Sequence, residues 1–341
     1  MTTVAFAGAG PLTAVHGLAA QALGLRVSHV AAGTAEEAAE RARQLGARPC
    51  TYEDLPAGAD LVIVTAPPAL RANEVLRSVR AGAAVLVEPP LAATLADADA
   101  IVDAAARATA PVLYGESLLH APVVRAALDR VRMIGPIERI EVRALHSPAD
   151  RRVGAEPGVE AGVLAEVGTR ALAVALALAE PAGPVAVQAR LERTGPGQTD
   201  DRSEVTLRFP GGAVATVVAS RREPEPAAVW DLQVSSATGV VRAELAPTTS
   251  LEHDGEPVPV ITPPAPGDVP QLEQFGYLQQ LRVAAAAAAG RAQDLWSPVF
   301  GRRVLEALFG AYAAAAESGS WQPLPFTGPR GRPPLASWTT P

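Results

Sequence analysis

Short apolar runs alternate with helical segments through the first 120 residues of the chain. The clearest run, Asp60–Thr65, is continuously apolar after its first residue, which is typical of a strand buried on both faces of a parallel sheet. The helical segments between the runs, such as 12–23 and 95–107, are long enough to form the crossovers that parallel strands require. We therefore predict an α/β fold that begins with a Rossmann-type, doubly wound parallel sheet over residues 1–120.

The pattern changes in the rest of the chain, where longer alternating runs replace the βαβ pattern. Segments 204–209 and 213–221 flank a Pro-Gly-Gly turn and read as the two strands of a hairpin. Similar runs on either side predict a second α/β domain over residues 121–320, with a large, open and mainly antiparallel sheet. The proline-rich end of the chain, residues 321–341, is expected to lie extended over the surface.

Composition and charge exclude several functional classes. The net charge is −7 and no long basic run is present, which argues against a nucleic-acid partner. The single cysteine, Cys50, rules out a disulfide framework, and the five histidines lack metal-ligand spacing, so we predict no metal site. No apolar stretch reaches the ~18 residues of a membrane span. The N-terminus has no basic leader, so we expect a cytoplasmic protein without membrane association.

Lysine is absent from the chain, and all 29 basic residues are arginines. Lysine Schiff bases, a lysine general acid and a phosphate-binding P-loop lysine are therefore excluded. Any reaction that moves a proton must use another group, because an arginine guanidinium stays protonated.

A glycine loop joins the first predicted strand to the first helix and reads GAGPLT from Gly8 to Thr13. In a dinucleotide-binding loop, the first glycine allows the turn, the second lets the backbone approach the pyrophosphate, and the helix start supplies amide donors. We therefore predict a dinucleotide site at Gly8, Gly10 and Thr13, with Thr13 in place of the usual third glycine. The second strand ends over 30–34 without an acid for the ribose or an arginine for a 2′-phosphate, so NAD and NADP both stay open.

Five segments of the chain carry a resemblance to a known family. They are GAGPLTAVH at 8–16, DLVIVTAPPALRANEVL at 60–76, VRAGAAVLVEPPLAATLADADAIVDAA at 79–105, IGPIERIEVRAL at 134–145 and GVLAEVGTRALAVALAL at 162–178. Together they make the chain similar to the glucose–fructose oxidoreductase/inositol dehydrogenase/MocA (Gfo/Idh/MocA) family over nearly its whole length. The resemblance implies a nicotinamide-binding Rossmann domain and a C-terminal α/β domain whose open sheet mediates homodimers or homotetramers. It also implies a small-molecule substrate such as a sugar, a cyclitol or a related polyol.

Within this resemblance, Thr65 and Pro67 stand at the end of an apolar run, and Glu88 opens the segment that matches the family's Glu-Lys-Pro motif. We predict that these three residues complete a cofactor site for NAD or NADP. The lysine of the motif, which the family places near the nicotinamide and the reacting oxygen, is replaced by Pro89. The family's histidine after the proline pair is replaced by Arg71.

The family's aspartate and histidine on the interdomain helix correspond to Glu166 and Arg170. Alcohol oxidation by hydride transfer must also remove the hydroxyl proton, so Glu166 is a candidate base. Arg170 is a candidate clamp for a carboxylate or phosphate on the substrate. An alternative stays open, because the two residues are spaced i,i+4 and could form only an intrahelical ion pair.

Two functions are compatible with these features. The first is an NAD(P)-dependent oxidoreductase that acts on a small polyhydroxylated or acidic substrate. The second is a catalytically degenerate protein on the same scaffold, either a binding or regulatory protein or a redox-neutral biosynthetic protein. The second is considered because the family's lysine and histidine and the usual ribose acid are all replaced.

Overall fold

The computed structural model describes residues 2–148, 162–194, 199–224, 228–263, 270–291 and 296–338. The chain divides into two compact units, each built from two stretches of sequence. The first unit comprises Met1–Ser117 and Pro263–Arg302, and the second comprises Leu118–Thr262 and Arg303–Pro341.

The strands, in chain order, are β1 (Thr3–Ala7), β2 (Arg26–Ala31), β3 (Arg48–Cys50), β4 (Leu61–Val64), β5 (Ala84–Val87), β6 (Val112–Tyr114), β7 (Ile137–His146), β8 (Ala186–Glu192), β9 (Arg202–Arg208), β10 (Val214–Ser220), β11 (Ala228–Ser236), β12 (Gly239–Ala246), β13 (Ser250–His253), β14 (Glu256–Pro257) and β15 (Gln322–Pro323). The helices are α1 (Pro11–Ala22), α2 (Ala35–Leu45), α3 (Pro68–Arg80), α4 (Leu95–Arg107), α5 (Pro122–Val131), α6 (Thr169–Leu178), α7 (Pro270–Gln274), α8 (Tyr277–Ala288), α9 (Pro298–Ala316) and α10 (Leu335–Trp338).

The first unit contains a six-stranded parallel sheet in the order β3-β2-β1-β4-β5-β6. This is the strand order of a doubly wound dinucleotide-binding domain, so the predicted Rossmann-type α/β fold is confirmed. Strands β4 and β5 are buried along their whole length. Their sequences are continuously apolar because neither face of these strands meets water.

Residues from the C-terminal third complete the core of the first unit. Leu278, Leu281 and Ala284 of α8 are buried in one apolar cluster with residues of β1 and β4. These residues lie inside the range 121–320 that the sequence assigns to the second domain, yet they pack into the first unit. The boundary therefore differs from the predicted one, because an amphipathic pattern shows that a helix has a buried face but not which sheet that face covers.

The second unit contains a nine-stranded sheet in the order β14-β13-β12-β11-β7-β10-β9-β8-β15. Strands β7 and β10 pair in parallel, and the other neighbours pair antiparallel. The prediction of a large, mainly antiparallel sheet is therefore confirmed. Buried and more exposed residues alternate along β9, so one face of the sheet packs on the core of the unit while the other stays more open.

The C-terminal tail differs from the extended segment expected over 321–341. Strand β15 pairs with β8 at the edge of the second sheet. Phe326 is buried, and its ring centroid lies 6.0 Å from that of Phe309 in α9. Residues Leu335–Trp338 form the short helix α10. The tail is thus anchored to the second unit. Pro323 can belong to β15 because an edge strand does not need every backbone N–H for pairing.

Within the described ranges, every helix is too short or too polar to span a lipid bilayer. The same ranges bring together no group of three or more histidine, cysteine, aspartate or glutamate side chains that could hold a metal ion.

Candidate functional site

The order of the first sheet reverses between β1 and β4, so the carboxyl ends of these strands form the edge where doubly wound sheets bind ligands. Gly8 directly follows β1 and has a positive φ of 129°. A Cβ atom at this position would lie 2.4 Å from Thr65 Oγ1 and 2.7 Å from the backbone nitrogen of Ala66. Only glycine fits here, because any side chain would collide with the segment that follows β4.

The start of α1 offers hydrogen-bond donors to an anion. Gly10 is the N-cap, and no acidic residue lies in the first turn. The N–H groups of Ala9, Gly10 and Leu12 have no partner within the described residues, whereas Thr13 N donates to Gly10 O at 3.1 Å. Free N–H groups and the positive end of the helix dipole together favour a phosphate. This loop and first turn therefore fit the diphosphate of a dinucleotide.

Thr13 and Thr65 join the glycine loop to the end of β4. The Thr13 hydroxyl is buried and donates to Gly8 O at 2.9 Å, while its oxygen lies 2.7 Å from Thr65 Oγ1. Pro67, another residue predicted at this edge, is the half-buried N-cap of α3. Because both threonine hydroxyls are bonded inside the protein, we propose that these two residues position the loop for the cofactor.

Arg41 of α2 is a residue that the sequence pattern did not single out, since its helical spacing indicates only an exposed position. Its Nε donates to Ala9 O at 3.0 Å, and its Nη1 donates to Gln44 Oε1 at 2.6 Å. The side chain is half-buried. A guanidinium group is thus placed against the glycine loop, across 32 positions of sequence.

Glu88 and Arg71 organise the ends of β4 and β5 from within the first unit. Glu88 is fully buried, and its Oε1 lies 2.8 Å from Nε2 of the buried His16. Arg71 is also buried and donates to Ala66 O at 2.8 Å, to Glu88 O at 2.9 Å and to Pro90 O. The arginine at the position of the family's histidine therefore clamps three backbone carbonyl groups.

In the second unit, Glu166 lies in a single π-helical turn, Leu164–Gly168, immediately before α6. Turns of this kind are frequently found at functional sites. Glu166 forms an ion pair with Arg221, which follows β10, and both side chains are partly buried. Arg170 lies about one turn further along, in α6. The observed partner of Glu166 is therefore Arg221, which the pairing of distant strands brings to this place.

Asp200 fixes the start of this π-helical turn. Its Oδ2 accepts from Leu164 N at 2.7 Å, and its Oδ1 accepts from the Tyr312 hydroxyl at 2.8 Å. Burial raises the pKa of Asp200 above its ordinary value, although these hydrogen bonds oppose the shift. Because the carboxylate holds the backbone of Leu164, it sets the position from which Glu166 extends.

We expect the stability lost in Asp200→Asn and the stability lost in Asp201→Asn to change with pH in opposite directions. The pKa of Asp200 is raised in the folded state above its ordinary value of 3.8. The stability that this group contributes is therefore greatest below pH 3.8 and declines as the pH rises through the folded pKa. Burial would also raise the pKa of Asp201, but hydrogen bonds from Arg222 and Thr194 outweigh it and lower that pKa. The stability that Asp201 contributes is therefore present above pH 3.8 and is lost as the pH falls through the folded pKa.

Urea unfolding from about pH 3 to about pH 8 measures both contributions, as the free energy of unfolding of the unsubstituted protein minus that of each variant. The difference should decrease with rising pH for Asp200→Asn and increase for Asp201→Asn. Two differences with the same slope would contradict these assignments.

His120 should make the protein sensitive to acid. Burial, followed by the nearby charge of Arg125, lowers the pKa of His120 to about 4. Because the unfolded chain takes up the proton more readily, the free energy of unfolding should fall by about 3 kcal/mol between pH 6.5 and pH 4. His120→Phe should abolish this loss in urea unfolding, whereas His253→Asn serves as the control. An unchanged acid loss in His120→Phe would show that other groups cause it.

Comparison with known proteins matches both units to family models. Residues 2–116 match the oxidoreductase family with an NAD-binding Rossmann fold, and residues 124–241 match the GFO/IDH/MocA C-terminal domain. Among curated proteins, an uncharacterized protein of Saccharomyces cerevisiae, YMR315W, is 33% identical over 78 residues, which are 23% of this chain and 22% of that protein.

Solved structures match almost the whole chain in fold. An oxidoreductase domain protein from Kribbella flavida has a TM-score of 0.80 and 20% identity, over 95% of this chain and 100% of that chain. GenD2 from gentamicin A biosynthesis, in complex with NAD, has a TM-score of 0.77 and 22% identity, over 95% and 96%. Levoglucosan dehydrogenase, in complex with NADH and L-sorbose, has a TM-score of 0.79 and 20% identity, over 95% and 99%. The resemblance seen in the sequence and the nicotinamide dinucleotide cofactor that it implies are confirmed by the family models.

Proposed function

Because the chain belongs to the Gfo/Idh/MocA oxidoreductase family, whose N-terminal domain is an NAD-binding Rossmann fold, we propose that it transfers a hydride between NAD or NADP and a small polyhydroxylated or acidic substrate. The observation that carries this proposal is the shape of the loop after β1. Only glycine fits at Gly8, and N–H groups at the start of α1 are free to bind a diphosphate. The dinucleotide, when bound, supplies or accepts the hydride. The chain's own residues must bind it, hold the substrate and move the hydroxyl proton.

We assign the movement of that proton to Glu166. The chain contains no lysine, the family's lysine position is Pro89, and Arg71 is committed to backbone carbonyl groups. Glu166 stands at the position of the family's aspartate on the interdomain helix, and its carboxylate can accept a proton. The ion pair with Arg221 holds the Glu166 carboxylate at the start of α6.

Arg170 and Arg221 support an acidic substrate. Arg221 pairs with Glu166, and Arg170 follows Glu166 by about one helical turn. A guanidinium binds a carboxylate or a phosphate through two parallel hydrogen bonds that are strengthened by opposite charges, and a neutral sugar lacks that charge. We therefore propose that the substrate carries such a group beside the hydroxyl that is oxidised.

The test begins with binding and continues with turnover. NADH or NADPH should raise the melting temperature and quench tryptophan fluorescence. Polyols and hydroxy acids are then screened by the absorbance of the reduced nicotinamide. Glu166→Gln should lower kcat by about 100-fold or more at unchanged dinucleotide affinity. The matched control is Glu192→Gln, since Glu192 pairs with Arg222 as Glu166 pairs with Arg221. Failure of both dinucleotides to bind at millimolar concentration would refute the proposal.

A second candidate function is dinucleotide binding without redox turnover. Pro89 favours it, because the family's lysine is the group usually placed near the reacting oxygen. In that case the dinucleotide binds but no substrate of the screen is turned over. Glu166→Gln then leaves the dinucleotide affinity unchanged and has no turnover to lower. A gain of polyol dehydrogenase activity in Pro89→Lys would then indicate descent from an active enzyme.

We also propose a homodimer or homotetramer that forms through the more open face of the second sheet. Thr216 and Val218 of β10 are half-exposed on strands whose alternate residues are buried. Sedimentation equilibrium should give a mass of twice or four times 35.0 kDa, and a monomer would refute the proposal. We also propose a cytoplasmic location, where a free nicotinamide dinucleotide is available.

A further inference from the structure

The guanidinium of Arg41 lies beside the part of the glycine loop that is nearest to β2. Its Nε donates to Ala9 O at 3.0 Å. Ala9 follows Gly8, whose N–H donates to Ala31 O at 2.8 Å at the end of β2. In a Rossmann domain the adenosine ribose is held at the carboxyl end of the second strand. Arg41 therefore lies next to the expected place of the ribose and its 2′ substituent.

The charge of Arg41 is not balanced inside the protein. Among the described residues it forms no ion pair, and its two side-chain contacts are to a carbonyl oxygen and an amide oxygen. The acidic neighbour Glu40 is paired with Arg43 and also accepts from Gln44 Nε2 at 2.8 Å. A half-buried guanidinium without a carboxylate can bind an added anion.

The end of β2 lacks the group that would select NAD. It reads Ala32-Gly33-Thr34, so no carboxylate there can accept a hydrogen bond from a ribose 2′-hydroxyl. The nearest acid is Glu37, whose Oε2 would lie 3.7 Å from a Cβ atom on Gly33. That oxygen already accepts from Thr34 N at 3.2 Å in the capping box of α2. Small residues at this position leave room for a bulkier substituent than a hydroxyl group.

We infer that Arg41 binds the 2′-phosphate of NADP(H), and that this chain takes NADP(H) in preference to NAD(H). The inference rests on the proposed function only in requiring that the first unit binds a nicotinamide dinucleotide. The guanidinium forms charge-assisted hydrogen bonds to the phosphate through nitrogen atoms that Ala9 O does not use. Arg41 is then the residue that determines cofactor specificity.

The experiment measures dissociation constants of NADPH and NADH by titration calorimetry for the unsubstituted protein, Arg41→Met and Arg43→Met. NADPH should bind about 10- to 100-fold more tightly than NADH, as expected for charge-assisted hydrogen bonds to one phosphate. Arg41→Met should remove most of this preference while changing NADH affinity by less than about threefold. Arg43→Met, on the same helix but paired with Glu40, should keep it.

A probe that needs no variant separates the possible results. Adenosine 2′,5′-bisphosphate should compete with the dinucleotide at least about tenfold better than 5′-AMP. Equal affinity for NADH and NADPH would overturn the inference. If Arg41→Met weakened the binding of both dinucleotides equally, the inference would also fail, because Arg41 would then only position the loop. A tenfold loss of NADH affinity in Glu37→Gln, with NADH the preferred ligand, would show that Glu37 selects NAD instead. If neither dinucleotide binds, the proposed function fails as well, whereas binding of NADH alone leaves that function standing.

Discussion

Replacing Arg71 by methionine should lower the free energy of unfolding by about 4 kcal/mol. The buried guanidinium donates to the carbonyl oxygens of Ala66, Glu88 and Pro90, and methionine would leave all three without this donor. A buried carbonyl group that loses its donor costs about 1–3 kcal/mol.

Urea unfolding monitored by circular dichroism measures this loss, and Arg80→Met is the matched control. Arg80 lies in the last turn of the same helix, α3, and is exposed. Its replacement should change the free energy of unfolding by less than about 0.5 kcal/mol. Equal effects of the two substitutions would show that Arg71 is not a clamp. Arg71→His, which restores the family's residue, should recover only part of the loss, because an imidazole has fewer donors.

Replacing Gly8 by alanine should lower the free energy of unfolding by about 4 kcal/mol and weaken dinucleotide binding by about 100-fold or more. Two effects contribute to this value. The φ of 129° is strained for any residue with a Cβ atom, and the added carbon would lie 2.4 Å from Thr65 Oγ1. Because the backbone of Ala66 is nearly as close, the clash cannot be relieved by a side-chain rotation alone, and the loop must move.

Gly24→Ala separates these two effects. Gly24 also has a positive φ, of 65°, but a Cβ atom there would meet nothing within 4 Å. Its substitution should cost only about 1 kcal/mol and leave dinucleotide affinity unchanged. If Gly8→Ala bound the dinucleotide as tightly as the unsubstituted protein, the loop would not be the cofactor site. The main structural support for the proposed function would then be removed.

Much of the first unit could be predicted from local patterns. The apolar run at 60–65 and the helices around it gave the parallel sheet, because strand type and crossover length are encoded in neighbouring residues. The place of 270–288 in the first unit could not be predicted, for a different reason. Leu278 and Leu281 show that α8 has an apolar face, but the strands that this face covers, β1 and β4, lie more than two hundred positions earlier.

The candidate site shows the same limit. Gly8 and Gly10 could be located because a strand, a loop and a helix follow one another directly along the sequence. Arg41 and Arg221 could not, since their partners Ala9 and Glu166 are brought to them by the folding of separate elements. For Glu166, helical spacing indicated Arg170 as the partner, whereas the end of β10 supplies Arg221.

The discontinuity of the first unit affects how the protein is made. Translation releases β1 to β6 long before α8, so the nascent chain must carry the uncovered apolar side of this sheet while the second unit emerges from the ribosome. The first unit therefore cannot complete its core before α8 has been synthesised. Expression of residues 1–117 alone should yield an aggregating fragment, which co-expression of a segment spanning 263–302 should render soluble.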